Sequence, residues 1–164
     1  MTGHSSFSVL FVCMGNICRS PTAHAVFQRK VREQDLTPLV SVDSAGTHNY
    51  HPGSPPDERS QLYGMRRGYD LSTLRARQIR QSDFEIRDLI LVMDWDNLAL
   101  AQNECPPQYR VKIRRLTEFC LRHTSPVIPD PYYGGANGFD HVLDLTEDAC
   151  DGLIAHVKRR LDLT

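Results

Sequence analysis

Residues 7–12 read FSVLFV, and residues 13–21 read CMGNICRSP. The first run is short, rich in Phe and Val and nearly all apolar. That pattern suits a strand buried on both faces of a parallel sheet. Pro21 suits a first helical turn, where its missing N–H costs nothing. Beyond it, Ala23, Val26, Phe27 and Val31 fall on one helical face, which predicts a helix from Ser20 to about Gln34. The unit is strand, tight loop, helix.

The same alternation continues outward. Leu39 to Ala45 reads as a second strand, followed by a Pro- and Gly-rich loop, THNYHPGSPPDERS. Ser60 to Arg67 is predicted helical and ends at Gly68. Leu89 to Met93, LILVM, is a third buried strand, with a helix predicted from Asp94 to Gln102. Val111 to Phe119 holds the expected fourth strand, and Thr124 to Gly138 is read as a loop. Asp140 to Leu161 reads as a long helix with Val142, Leu145, Ala149, Leu153 and Val157 as its stripe. Lys158, Arg159 and Arg160 sit where the helix dipole favours cations. Buried strands alternating with amphipathic helices predict an α/β three-layer sandwich with a four-stranded, mainly parallel sheet. In such sheets ligands bind at the carboxyl ends of strands, so the loop after the first strand is the expected site.

Composition narrows the classes. The chain has 164 residues and is 40% apolar, which fits a single domain over residues 1–164 with one core. No apolar run is long enough to span a bilayer, and no basic region precedes the first apolar run as in a signal peptide. A net charge of −1 argues against nucleic acid as the main partner. The five cysteines, Cys13, Cys18, Cys105, Cys120 and Cys150, show no framework spacing, so a reducing, cytoplasmic location is expected. Neither they nor the seven histidines have zinc-ligand spacing; no metal and no cofactor are expected.

Cys13 and Arg19 bracket five residues, with a helix directly after. Such a loop can curl so that the backbone N–H groups of Met14, Gly15, Asn16, Ile17 and Cys18 point at an anion. The helix N-terminus adds positive potential there. Gly15 permits the tight turn and close approach. Arg19 can hold two phosphoryl oxygens with its planar fork. The field that binds phosphate also favours a thiolate at Cys13, a nucleophile aimed at the bound group. The Ser20 hydroxyl can donate to its sulfur. A structural reading of Cys13 as a core cysteine leaves Arg19, Ser20 and Pro21 unexplained. A GTP-type loop is excluded, because no Gly-Lys-Ser/Thr follows.

CMGNICRSP resembles the signature of the low-molecular-weight protein tyrosine phosphatases. VDSAGT at 42–47, the loop with Tyr50, His51, Gly53, Pro56, Asp57 and Arg59, ARQI at 76–79, VMD at 92–94 and DPYYGG at 130–135 are similar to the family in the same order. The resemblance covers nearly the whole chain. It implies a phosphotyrosine protein phosphatase I-like fold, phosphotyrosine-containing proteins as partners, and a monomer or weak dimer. It implies Cys13 as nucleophile, Arg19 as clamp and Asp130 as general acid and base, catalytic without metal. Tyr50 and Tyr132 resemble the aromatic walls that make a cleft deep enough for phosphotyrosine. Asn16 and Ser44, with Ser20, resemble the polar residues that brace the loop. The family's disulfide between the nucleophile and the second loop cysteine would fall on Cys13 and Cys18; space-filling by Cys18 is the equal alternative.

The chain departs from the family at Leu74, where many members carry a histidine of the network behind the loop. Ser72, Thr73 or a water is the expected replacement, or a less well braced loop. Ile17, in place of threonine, argues against phosphoarginine. Two rivals stay open: a thioredoxin-linked arsenate reductase, for which Cys105 and Cys120 are a poor relay pair, and a phosphotyrosine-binding module without turnover, against which intact Cys13, Arg19 and Asp130 speak.

Overall fold

The computed structural model describes residues 6–131 and 135–163. Strand β1 (Phe7–Cys13) is followed by helix α1 (Arg19–Glu33), strand β2 (Val40–Gly46), helices α2 (Glu58–Arg66) and α3 (Gln81–Ile86), and strand β3 (Leu89–Val92). Helix α4 (Trp95–Glu104), strand β4 (Ile113–Arg115) and helix α5 (Ala136–Arg160) complete the order. The sheet order is β2-β1-β3-β4, and each pairing is parallel.

β1 is central, and its residues divide by parity. Phe7, Val9, Phe11 and Cys13 enter one apolar cluster with Val26, Phe27, Leu145 and Leu153 from α1 and α5. Leu10 and Val12 enter the other, with Phe84 from α3 and Ala101 from α4. A strand buried on both faces needs no polar alternation, which is why residues 7–12 read as a continuous apolar run. The chain leaves β1 for β2 on one side and returns to β3 on the other. That reversal opens a crevice at the carboxyl end of β1, where residues 14–18 lie.

Several expected boundaries shift for local reasons. α2 begins at Glu58 rather than Ser60, because Asp57 caps it: Oδ1 accepts the N–H of Arg59 (2.8 Å) and Ser60 (3.4 Å). The fourth strand shrinks to Ile113–Arg115 between two 3₁₀ turns. α5 starts at Ala136, within the expected loop. α3 was not anticipated; six residues hold too little periodicity to declare a helix.

The segment leading to Asp130 hangs on one buried carboxylate. Asp148 of α5 accepts N–H groups from Leu121, Arg122 and His123 and also meets His123 Nδ1 at 2.7 Å. Burial favours its neutral form, but His123 and these N–H donors outweigh it and hold the carboxyl well below the usual range. A depressed folded value stabilises the fold above the unfolded carboxylate value of about 3.9 and is lost as pH falls. Asp148→Asn is expected to cost about 2–3 kcal/mol in urea unfolding at pH 7, with the gap from wild type narrowing as pH drops below about 4.

Candidate active site

Backbone accounting explains the shape of the cysteine loop. The carbonyls of Cys13, Met14 and Ile17 accept the N–H groups of Thr47 (2.9 Å), His48 (3.0 Å) and Asp57 (2.8 Å). The Cys18 carbonyl takes the Thr22 hydroxyl at 2.7 Å. With these oxygens turned outward, the N–H groups from Met14 to Cys18 have no acceptor among the described residues. A row of N–H groups without protein acceptors beside a cavity has the form of an anion site. α1 starts directly after, with no side-chain cap and no acidic residue in its first turn, so its free N–H groups add to the same field.

The turn requires two special positions. Asn16 is left-handed, φ 58°, which its short amide side chain tolerates. Its Oδ1 accepts the Arg77 N–H (3.0 Å), and its Nδ2 donates to Ser20 Oγ (2.7 Å). Gly46, at the end of β2, passes so close that a Cβ would lie 2.7 Å from the Met14 carbonyl oxygen. The sequence reading quoted Gly46 inside VDSAGT without a role; its need is visible only in this close approach.

Ser20 Oγ lies 3.0 Å from Cys13 Sγ and 3.3 Å from the Ala45 carbonyl oxygen. Because Asn16 donates to Ser20, the single hydroxyl proton is free to go to the sulfur. Arg19 is 2% exposed, and its Nη1 donates to Asp94 Oδ2 (2.7 Å) and the Ile128 carbonyl (2.9 Å). Its Nη2 lies 3.7 Å from Asp130 Oδ2. Burial works against the charge, but Cys13, Asp94 and Asp130 outweigh it and raise the guanidinium above its ordinary value. Asp94, expected from the sequence only as part of VMD and as a helix start, is thus the residue that aims Arg19.

Cys13, Met14, Gly15, Ile17, Cys18 and Arg19 form the base of a cavity of about 290 Å³, with Tyr50, His51 and Asp130 around it. Tyr50 is 60% exposed and stacked on His48, ring centroids 4.7 Å apart. His51, part of the family-like loop after β2, meets Tyr50 edge-on and covers Gly15. Tyr132 lies outside the described residues. Burial pushes the Cys18 thiol up to about 12, with Asp57, Cys13 and Asp130 adding to the rise and Ser60 opposing it.

Two expected braces are placed differently. Ser44 Oγ bonds His24 Nδ1 at 3.1 Å, not the cysteine loop. Ser72 and Thr73 are exposed and do not reach Asn16; Leu74 packs on the core, and the Arg77 N–H does the bracing. Gly46→Ala is expected to push the Met14 carbonyl aside, lowering phosphate affinity at least tenfold and stability by about 1–3 kcal/mol, measured by phosphate titration and urea unfolding.

Residues 8–163 match the family model for low molecular weight phosphotyrosine protein phosphatase. A low molecular weight protein-tyrosine-phosphatase of Streptomyces coelicolor is 38% identical, covering 96% of this chain and 97% of that protein. The human low molecular weight phosphotyrosine protein phosphatase is 40% identical, covering 92% and 95%. A crystal structure of a protein tyrosine phosphatase from Entamoeba histolytica, with Hepes in its active site, superposes with a TM-score of 0.91 at 43% identity, covering 94% of this chain and 98% of that one. With a match that spans almost every residue and a cysteine loop built as described, this chain belongs to the low molecular weight phosphotyrosine protein phosphatase family.

Proposed function

We propose that the chain, as one domain, hydrolyses phosphotyrosine in proteins in two steps without a metal. The row of N–H groups from Met14 to Cys18 that have no acceptor among the described residues, beside Cys13 Sγ and Arg19, carries the reading. In the first step the Cys13 thiolate attacks phosphorus, the P–O bond to the tyrosine breaks, and Asp130 gives its proton to the departing phenolate oxygen. The loop N–H groups and Arg19 hold the three equatorial oxygens as charge shifts onto them. In the second step Asp130 takes a proton from water, the water oxygen attacks phosphorus, and the P–S bond breaks to return the thiolate and free phosphate.

The lining supports the substrate class. Tyr50 and His51 line the cavity together with Cys13, which favours a phosphate carried on a long, flat arm. A phenyl ring fits that demand and stacks on aromatic walls; the short serine side chain does not. Tyr132 is proposed as the opposite wall, on the family resemblance. A cytoplasmic protein acting alone or as a weak dimer suits reduced, free cysteines.

Hydrolysis of p-nitrophenyl phosphate and a phosphotyrosine peptide, with EDTA throughout, tests the mechanism. Cys13→Ser is expected to fall to background. Asp130→Asn is expected to lose about 10²–10⁴-fold in kcat, most for the peptide, whose leaving group needs the proton. No turnover by reduced wild-type protein would sink the reading and leave arsenate reduction or phosphotyrosine binding. Because Cys18 stays a thiol near neutrality, iodoacetate at pH 7 is expected to label Cys13 alone, with Cys18→Ser labelled at the wild-type rate, read by peptide mass mapping.

A further inference from the structure

A second cavity, of about 220 Å³, opens on the far side of α1, between that helix and the segment after α2. Its wall carries His24, Arg29 and Arg32 from α1, and Asp70, Thr73 and Leu74 from the facing segment. Its volume is below the roughly 300–1,000 Å³ of drug-sized sites, so its occupant is small.

The cationic side of this cavity is built rather than incidental. The Arg29 guanidinium sits 4.0 Å above the Tyr69 ring, and its Nη1 donates to the Arg67 carbonyl at 3.1 Å. Gly68, at φ +86°, makes room for it: a Cβ there would lie 2.9 Å from Arg29 Nη1. Arg32 is exposed and has no ion-pair partner among the described residues. A place in the last turn of α1 accounts for Arg32 as a complement to the helix dipole. It does not account for Arg29 fixed over an aromatic ring with a glycine cleared beneath it. Two carboxylates are near. Asp70 is turned to the Ser72 N–H at 2.9 Å. Glu33, exposed one turn on, lies 3.9 Å from Arg29 Nε, leaving the Nη atoms of Arg29 toward Tyr69 and the Arg67 carbonyl. Two guanidiniums at one mouth, one of them held in place, fit an anion with more than one charged oxygen.

The back of the cavity is wired to the cysteine loop. His24 lies one helical turn beyond Ser20, and its Nδ1 holds Ser44 Oγ at 3.1 Å. The next residue, Ala45, supplies the carbonyl 3.3 Å from Ser20 Oγ, the hydroxyl that meets Cys13 Sγ at 3.0 Å. A ligand that moves the His24 ring therefore moves the groups that share the Ser20 proton with the sulfur. Burial disfavours charge on His24, so a bound anion changes its surroundings strongly.

We propose that this cavity is a regulatory site for a compact polyanion of metabolite size, a phosphomonoester or a polycarboxylate, held by Arg29 and Arg32 and read at Cys13 through His24 and Ser44. The binding stands alone; its effect on turnover rests on the phosphatase reading.

Citrate and glycerol 3-phosphate are the probes, the latter with Cys13→Ser to stop turnover. Calorimetry on the full chain is expected to show a binding event that weakens at least tenfold in Arg32→Ala and vanishes in Arg29→Met/Arg32→Ala. The His24 ring resonances are expected to shift on citrate addition in wild type and stay still in the double variant. Binding of both probes, or of one alone, supports the site and identifies the source of the anion. Saturating citrate is expected to change kcat for p-nitrophenyl phosphate at least twofold, an effect absent in Arg32→Ala, whose basal kcat equals wild type. Citrate binding that is unchanged in Arg32→Ala, unmoved His24 signals, or purely competitive inhibition would place the anion at the cysteine loop alone and overturn the proposal. If wild type shows no turnover, calorimetry and the His24 signals still decide the binding.

Discussion

A buried guanidinium organises the catalytic end of this molecule. Arg19 lies at the first position of α1, yet its charge is spent on groups far away in sequence: Asp94 after β3, the Ile128 carbonyl, and Asp130. Two of these are tied elsewhere. Asp94 Oδ1 also caps α4 at the Asn97 N–H (2.8 Å), and the Ile128 N–H donates to the Met93 carbonyl (2.8 Å). One charge thus fixes the ends of two parallel strands and the entry to the Asp130 loop. Such a group holds only while paired, since removing one partner of a buried ion pair costs about 3–5 kcal/mol. The same pairing leaves the guanidinium directed to the cavity that the cysteine loop encloses.

The loop itself follows from where its carbonyls go. A five-residue bend between a strand and a helix must satisfy its polar backbone or leave it to a ligand. Here Thr47, His48 and Asp57 take the oxygens from outside, and the hydrogens are left within. β2 and the segment after it therefore shape the site as much as the loop does. That is why Gly46, which never faces the cavity, has no room for a side chain.

The sequence made legible what depends on neighbours along the chain. The apolar run of β1, the stripe of α1 and the spacing of Cys13, Arg19, Ser20 and Pro21 are local signals, and the parallel sheet and the site's place follow from them. What stayed hidden depends on meetings across the fold. Asp94 sits 75 residues from Arg19. His51 was quoted in the family-like loop without a role, and it reaches the cavity because its loop folds back over Gly15. Ser44 was read as a brace of the loop, but β2 turns its hydroxyl toward α1 and His24. Leu74 removes a polar group from the region behind the loop; the main chain of Arg77 serves Asn16 instead, and no residue type at position 77 would have announced it.

Cys13 and Cys18 sit close together in different surroundings. Both are nearly enclosed, 3% and 5% exposed, and both border one cavity. Cys18 stands at the N-terminus of α1, a position that by itself favours a thiolate. Burial, and the carboxylates of Asp57 and Asp130, act the other way and prevail. Cys13 instead has a hydroxyl at its sulfur and the loop N–H groups before it. A helix terminus is therefore not enough to favour a thiolate; at Cys18 burial and the neighbouring carboxylates decide the outcome. At Cys13 the nearby charge includes a cation, Arg19, which is held by Asp94 and Asp130 and interacts with the sulfur.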